Sequence, residues 1–403
     1  MYSLCRVQLA LKIGLLLLGC SVANFSSPTL GGSPSPSPAP LSDPTLSPGR
    51  QSSQDLPDGQ YEYVFQDGQA FIYQIGGTFP LINSFALPTL DGTRGAAACT
   101  NGMLWISHGS DQSGAGAGKL LKYDLLTGKI IYDVTYSHGI DSHAVTNDCA
   151  TIYMPDGELS KTGLFSKTGI WHVVDASTGA DVGQINGPSH PHNTVLNGSN
   201  TRLYMGGRQS STFQAANTSN NAVYLSVPVS PGGVRPFRVN SAETFGFLSI
   251  TALNGFQVVD LTKQKALYTV QHGRGCGSTP SAPSHGVTIN PAQTEVWVLD
   301  YCSDSVHVYG ISGLPSQAPQ PKKVISFTKS MHHDESPCAY DCGADGWLHH
   351  SLDGRYVFVG DVGDVIDTST YAVVANLPAL YDTRKMIEID WAGGAVVKAM
   401  NFR

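Results

Sequence analysis

The stretch Ser284–Asp300, "SHGVTINPAQTEVWVLD", decides the fold of this chain. It contains a histidine, a short apolar run, a turn at Asn-Pro-Ala-Gln and an alternating run that ends in Asp300. Short runs of this kind, bounded by turn residues, predict β-strands, and a turn between two of them predicts an antiparallel pair. The stretch therefore predicts two neighbouring strands of one sheet.

Similar units recur along the chain, and a hairpin with an aspartate before its turn follows most of them. Further units begin at Ser142, Pro191, Val234 and Asp345, and the hairpins cover 120–134, 170–185, 256–270 and 363–377. The hairpin aspartates Asp124, Asp175, Asp260 and Asp367 are separated by 51, 85 and 107 residues. These gaps correspond to one, two and two repeats of roughly 40 to 54 residues, a period that indicates a propeller or a solenoid.

One unit and one hairpin together supply four antiparallel strands, which is one propeller blade. The sequence therefore predicts an all-β fold, a seven-bladed β-propeller over residues 60–391. Blade one combines strands in 60–88 with "RKMIEIDW" (384–391), so that a C-terminal strand closes the ring and leaves no free edge. Blades two to seven are predicted at 93–137, 140–187, 190–230, 234–271, 283–328 and 345–379.

The opening stretch, "LDGRYVFVGD" (352–361) and the Asp-x-x-Thr-Gly hairpins resemble the exported bacterial YVTN-type β-propeller repeat family. The resemblance extends over nearly all of 60–391, although the loops are longer here and the first turn is often not Ser-Pro-Asp-Gly. That family includes surface and binding proteins, and more distant propellers include lactonases, quinoproteins and copper-dependent thiol oxidases. The resemblance thus implies a fold rather than one activity.

The N-terminus predicts export. Arg6 and Lys12 precede a short apolar run, which is typical of a signal peptide over residues 1–23. Leu17-Leu18-Gly19-Cys20 resembles a lipobox, which implies lipidation of Cys20 and a periplasmic or cell-surface lipoprotein. The alternative is ordinary cleavage after Ser21-Val22-Ala23 and secretion. The Ser/Pro-rich stretch 24–59 predicts a disordered tether, and 392–403 is a short C-terminal tail.

The charge of the chain limits its partners. A net charge of −7 and the absence of a basic stripe exclude nucleic acid. We expect a monomer that contacts a membrane only through its lipid anchor.

The number of cysteines predicts disulfides. Six cysteines follow Cys20, an even number that indicates disulfides in an exported protein. The predicted pairs are Cys276 with Cys302, Cys99 with Cys149, and Cys338 with Cys342, whose alternative is free or metal-bound thiols.

The recurring histidine marks one end of the propeller channel. Inner strands of all blades begin at the same opening, here called the mouth, so equivalent residues form a ring there. Alignment of the units predicts a ring of His143, His192, Arg235, His285, Arg94 and Arg384. Arg208, Asp361, Asp300 and His108, at the ends of second strands, are further candidates, and the cluster 331–350 with His332, His333, His349 and His350 is a candidate lid.

Three interpretations of the ring stay open. Arginine forks and histidines suit a small anionic ligand. His143, His192 and His285 alone suit copper or zinc, whereas a lactonase-like site would hold calcium through carboxylates. The third interpretation is a purely structural role.

The chain lacks G-x-S-x-G, H-E-x-x-H, P-loop and Rossmann motifs. The leading hypothesis is therefore a non-enzymatic binding or scaffold protein for a small anion or a protein partner. The alternative is a metal-dependent oxidoreductase or hydrolase.

Overall fold

A computed structural model describes residues 56–88, 92–109, 118–159, 164–165, 169–273, 275–276, 282–335 and 343–402. These residues form seven antiparallel sheets, one for each blade, and a separate two-stranded hairpin. The prediction of an all-β, seven-bladed propeller is confirmed. The predicted signal peptide, Cys20 and residues 24–55 lie outside the described part of the chain.

Blades two to seven each have four strands, which are named from the channel outward as inner, second, third and outer. Blade two contains Gly95–Ala98, Met103–His108, Lys119–Asp124 and Lys129–Thr135; blade three Ala144–Val145, Thr151–Pro155, Ile170–Asp175 and Asp181–Asn186; blade four Pro191–Leu196, Arg202–Gly207, Thr212–Asn217 and Ala222–Pro228. Blade five contains Val234–Val239, Phe245–Ile250, Gly255–Asp260 and Lys265–Gln271; blade six Val287–Ile289, Glu295–Asp300, Ser305–Gly310 and Gln320–Ser326; blade seven Trp347–His350, Tyr356–Gly360, Asp364–Asp367 and Ala372–Asn376.

The hairpin outside the blades joins Glu158–Leu159 to Leu164–Phe165, and short helices cover Tyr301–Ser303 and Pro378–Tyr381. Neither helix approaches the length and apolar character needed to cross a membrane, and no other helix occurs among the described residues.

Blade one closes the ring, as predicted. Its inner strand is the C-terminal Met386–Ala392, followed outward by Gly59–Gln66, Gln69–Gln74 and Leu81–Ala86. Tyr61 pairs with Ile389, and the buried Trp391 donates its indole N–H to the Tyr63 hydroxyl at 3.0 Å. Residues from the two ends of the propeller domain therefore share one sheet.

A fifth strand, Ala395–Ala399, extends blade one on its channel side, which the sequence analysis does not predict. The chain then continues to the inner strands of blades two and three. The Met400 carbonyl accepts from the Ala98 amide, and the Asn401 carbonyl accepts from the Val145 amide, both at 2.8 Å. The C-terminal residues thus join three blades at the end of the channel opposite the mouth.

Polar side chains explain why the turns recur. Asn290, in the opening stretch, accepts from the amides of Thr294 and Glu295 at 2.9 Å, while Gln293 takes a left-handed conformation with φ of 58°. Each hairpin aspartate likewise accepts from amides two and three residues later, as Asp124 does from Leu126 and Thr127. Such local acceptors stabilise the turn without any contact to another blade.

Two predicted disulfides are confirmed. Cys99–Cys149 joins the first turns of blades two and three, with Cα atoms 6.0 Å apart. Cys276–Cys302 joins the segment before blade six to the end of its second strand, with Cα atoms 5.2 Å apart. The predicted pair Cys338 and Cys342 lies outside the described residues.

The disulfide between blades two and three should stabilise the ring. It closes a loop with a sequence separation of 50 residues, so its loss in a Cys99→Ser/Cys149→Ser variant should lower the free energy of unfolding. The expected loss is about 2–4 kcal/mol, measured by guanidinium denaturation. The Cys276→Ser/Cys302→Ser variant, with a separation of 26, is the comparison and should lose less. Equal stability of the first variant and the parent protein would contradict this.

Candidate functional site

All six predicted ring residues lie at or just before the start of an inner strand. His143 directly precedes Ala144–Val145, and His192 is the second residue of Pro191–Leu196. Arg235, His285 and Arg384 are in corresponding places in blades five, six and one, and all are buried. Arg94, before the inner strand of blade two, is partly buried. The structure therefore places all six residues at the end of the channel where the inner strands begin.

A polar network joins blades two, three and four at the mouth. The His143 Nδ1 lies 3.1 Å from the Ser107 hydroxyl, which donates to the Asp141 carbonyl at 3.0 Å. The Asp141 carboxylate contacts His192 Nδ1 at 2.7 Å and Arg208 Nη2 at 3.1 Å. Arg208, a candidate second-strand residue, is thus part of the ring network.

The network continues through blades five and six. The Thr251 hydroxyl accepts from Arg235 Nε at 3.1 Å and donates to the Arg208 carbonyl at 2.9 Å. The His285 ring lies 5.7 Å from that of His192, measured between centroids, and its Nδ1 donates to the Gly346 carbonyl at 3.0 Å. Contacts of the ring therefore pass from blade to blade around the mouth.

Three carboxyl groups surround the Arg384 guanidinium on the blade-one side of the mouth. Its guanidinium lies 2.8 Å from Glu335, 3.4 Å from Asp361 and 3.7 Å from Asp345. Asp361 accepts from the amides of Asp345 and Gly346 at 3.1 and 2.9 Å. The same loop thereby positions the carbonyl that His285 contacts.

The buried environment controls the charge of the ring histidines. Burial lowers the pKa of His143 to about 3, and burial, assisted by Arg384, His192 and Arg235, lowers the pKa of His285 well below its usual value. Both rings are therefore neutral near pH 7. Because His285 Nδ1 carries the proton donated to Gly346, its Nε2 is an acceptor. The Nε2 atoms of His143 and His192 are buried and have no hydrogen-bond partner among the described residues.

Two other second-strand candidates make different contacts. His108 Nε2 lies 3.0 Å from Asp133 on the outer strand of blade two. Asp300 lies 3.2 Å from His307 on the third strand of blade six. Both side chains therefore connect strands within their own blades, whereas Arg208 and Asp361 contact the ring.

The cluster 331–350 does not converge on one point. Glu335 contacts Arg384, and His333 Nε2 lies 2.8 Å from the Asp361 carbonyl, so this part lies at the mouth. His349 and His350 are instead in the inner strand of blade seven, where His349 contacts Glu62 at 2.9 Å. Of the predicted lid, the segment with both cysteines lies outside the described residues.

A chamber inside the channel is a feature that the repeat alignment missed. Its volume is about 250 Å³, and its lining includes Arg238, Trp347, His350 and Phe402. The Arg238 guanidinium lies 5.5 Å from the Trp347 ring and 4.9 Å from the Phe402 ring. Burial lowers the pKa of Arg238 to about 10. Trp347 also lies 6.1 Å from the His285 ring, so it contacts both the mouth and the chamber.

Comparisons with known proteins show the fold alone. No protein-family model and no curated protein matches the chain, so the YVTN-type resemblance is not confirmed. A functionally unknown protein from Desulfotomaculum acetoxidans DSM 771 is similar, with a TM-score of 0.60 and 11% identity, covering 81% of this chain and 98% of that chain. Kuenenia stuttgartiensis hydrazine synthase has a TM-score of 0.50 and 14% identity, covering 77% and 87%.

Asp141 should be the main electrostatic support of the mouth. Burial alone would raise its pKa, but His192, Arg208 and Arg94 outweigh burial and lower the pKa below the usual value. Asp141→Asn would leave the buried Arg208 without this carboxylate, at an expected loss of about 3–5 kcal/mol in the free energy of unfolding at pH 7. The measurement is urea denaturation, and unchanged stability would contradict the assignment.

The pH dependence gives a second readout of Asp141. A carboxylate with a lowered folded-state pKa contributes its full stability above the unfolded-state pKa of about 3.9 and loses it as pH falls. The parent protein should therefore lose this stability below about pH 4, and Asp141→Asn should show a shallower loss over the same range. An identical pH profile for the two proteins would contradict the lowered pKa.

Proposed function

We propose that the protein is an exported binding protein that holds a small anionic ligand at the channel mouth. The observation that supports this most is the convergence of arginines from four blades. Arg94 and Arg208 lie near the Asp141 carboxylate, and Arg235 lies near His285. Arg384 and Lys385 lie beside the other carboxyl groups of the mouth, those of Glu335, Asp345 and Asp361. Five basic side chains therefore share the mouth with four carboxyl groups.

The environment of one of the four carboxyl groups disfavours its charged form. Burial, followed by the charge of Glu335, raises the pKa of Asp361 above its usual value, even though Arg384 and Lys385 lower it. The named groups at the mouth therefore have an excess of positive charge, in a chain whose net charge is −7. A guanidinium group offers a planar fork of donors that matches a pair of oxygens on an anion.

The histidines narrow the ligand class. The neutral His285 ring presents Nε2 as an acceptor, and His192 uses Nδ1 for Asp141, which turns its Nε2 away from that carboxylate. Arginine donors beside imidazole acceptors suit an anion that also carries a hydroxyl proton. Hydroxy-carboxylates and hydrogen phosphate have this combination, whereas simple carboxylates offer only acceptors.

Export of the protein is part of the same proposal. The N-terminal sequence supports it, and the two disulfides are compatible with an oxidising compartment. Anchoring through Cys20 would leave the propeller tethered to a membrane by the Ser/Pro-rich stretch.

Calorimetric titration of the full mature chain tests the ligand class. Malate, succinate and inorganic phosphate are the probes, and malate should bind more tightly than succinate because it adds a hydroxyl donor. Arg235→Gln and Arg384→Gln should each weaken binding by about tenfold or more, a loss of at least about 1.4 kcal/mol. Arg355→Gln, at an exposed turn of blade seven, is the matched control and should leave binding unchanged. Absence of binding by all three probes would overturn the proposal.

A metal-dependent propeller enzyme is the second candidate. Each ring histidine has Nδ1 beside a neighbouring group, an arrangement that orients metal-ligating histidines in proteins. The ligand atoms of the three rings do not all lie within 4.8 Å of one another in this structure, so metal binding would require the rings to move together. With copper or zinc on the three histidines the class is an oxidoreductase, whereas a lactonase-like hydrolase would instead hold calcium through carboxylates. About one equivalent of copper or zinc, absent from a His143→Ala/His192→Ala/His285→Ala variant by elemental analysis, would favour the enzyme. Retention of the metal by that variant would count against it.

A further inference from the structure

We propose that His138, His172 and Asp156 bind a divalent transition-metal ion such as Zn²⁺ in the cleft between blades two and three. His138 follows the outer strand of blade two. His172 is in the third strand of blade three, and Asp156 directly follows the second strand of the same blade. The site is separate from the ring at the mouth and uses none of its residues.

The three side chains already lie close enough to share an ion after small movements. One ligand atom from each lies within 4.8 Å of the others, and within the described ranges no other set of three such residues does so. Asp156 is buried, and the two imidazoles are about 14% and 13% exposed. The donors therefore come from ordered, largely buried positions on two adjoining blades.

A second carboxylate completes the surroundings. Asp181 Oδ2 lies 3.2 Å from His138 Nε2 and 3.4 Å from His172 Nδ1. Asp181 is more exposed than the other three residues, at 37% of its side chain. It can serve as a fourth ligand or accept a hydrogen bond from an imidazole that binds the ion, and both arrangements are common around zinc.

The hydrogen bonds around the imidazoles favour ligation. His138 Nδ1 donates to the Gly139 carbonyl at 2.7 Å, which leaves a lone pair on Nε2 of the neutral ring. His172 Nε2 is buried and has no hydrogen-bond partner in the described part of the chain. A buried imidazole nitrogen without a partner costs free energy, and an ion would compensate for that cost.

The charge balance points to a cation. The Asp181 carboxylate, the Gly139 carbonyl and the buried Asp156 surround the His138 ring with oxygen atoms. The cleft therefore has a negative potential at this ring. Two imidazole nitrogens and carboxylate oxygens suit Zn²⁺ better than Ca²⁺ or Mg²⁺, which prefer oxygen ligands throughout.

Metal binding requires one ring to turn. The two imidazoles are stacked with centroids 3.5 Å apart and planes only 3° from parallel. Parallel stacked rings cannot both direct an in-plane lone pair at one ion, so at least one must rotate about its Cβ–Cγ bond. This movement breaks the stack when the metal binds, whereas a purely structural His–His contact would stay stacked in the presence of metal.

Blades five and six contain a matched control. His272 follows the outer strand of blade five, His307 is in the third strand of blade six, and Asp300 ends the second strand. Their rings also stack, with centroids 4.2 Å apart. However, His272 Nδ1 contacts the Tyr309 hydroxyl at 2.8 Å, and the outer strand of blade six, "QPKKVIS", has no acidic residue like Asp181. This second cluster should not bind the metal.

The test is a ZnCl₂ titration of the full mature chain, with disulfides intact and bound metal first removed by EDTA. One equivalent should bind the parent protein, and His172→Gln and Asp156→Asn should each weaken binding by at least about 100-fold, since loss of even an outer-shell partner costs roughly 10- to 100-fold. His307→Gln should bind zinc like the parent. Two variants at different ligands keep the test decisive if one of them fails to fold.

A second readout separates ligation from a structural role. Co²⁺ bound in place of Zn²⁺ should have few ligands, all nitrogen or oxygen atoms, and should give the visible absorption typical of such coordination. His172→Gln should lack this absorption. The ring variant His143→Ala/His192→Ala/His285→Ala should keep this absorption, which separates the cleft from the mouth. No zinc binding at micromolar concentration, or equal loss in His307→Gln, would overturn the proposal.

Discussion

The pairing of Gly59–Gln66 with Met386–Ala392 is the constraint on which the rest of the structure depends. A propeller blade buries its faces only against its neighbours, so a ring that fails to close exposes two apolar faces and two edges. Closure by a strand from the far end of the chain removes both. It also places the starts of all inner strands around one opening, which is why His143 and Arg384, 241 residues apart in sequence, belong to one network.

The same closure brings C-terminal residues to the chamber inside the channel. After the closing strand the chain turns back along it, and Met400 and Asn401 bond to blades two and three. Phe402 packs on Arg238 of blade five. Trp347 lies against both this chamber and His285 at the mouth. Basic side chains thus occur both at the mouth and in the chamber, as Arg384 and Arg238 do, and the carboxylates that contact them are at the mouth.

Repetition explains what could be predicted from the sequence. The period identified the blades, and alignment of turns placed His143, His192, Arg235, His285, Arg94 and Arg384 around one opening and paired four cysteines, because equivalent positions of a ring converge. The cleft with His138 and His172 could not be found in this way, since it depends on which side chain of one blade meets the next. Arg238 was missed because it lies deeper in its strand than the aligned position, and Ala395–Ala399 because it lies outside the repeat.

Crystals soaked in selenate would show whether the ring residues form one anion-binding mouth. Selenate is a phosphate-like oxyanion, and an anomalous difference map locates its selenium without a prior model of the site. Anion binding by the ring predicts a peak at the mouth within hydrogen-bonding reach of Arg235 or Arg384 and near His285. Ordered selenate elsewhere on the molecule, with an empty and accessible mouth, would contradict it.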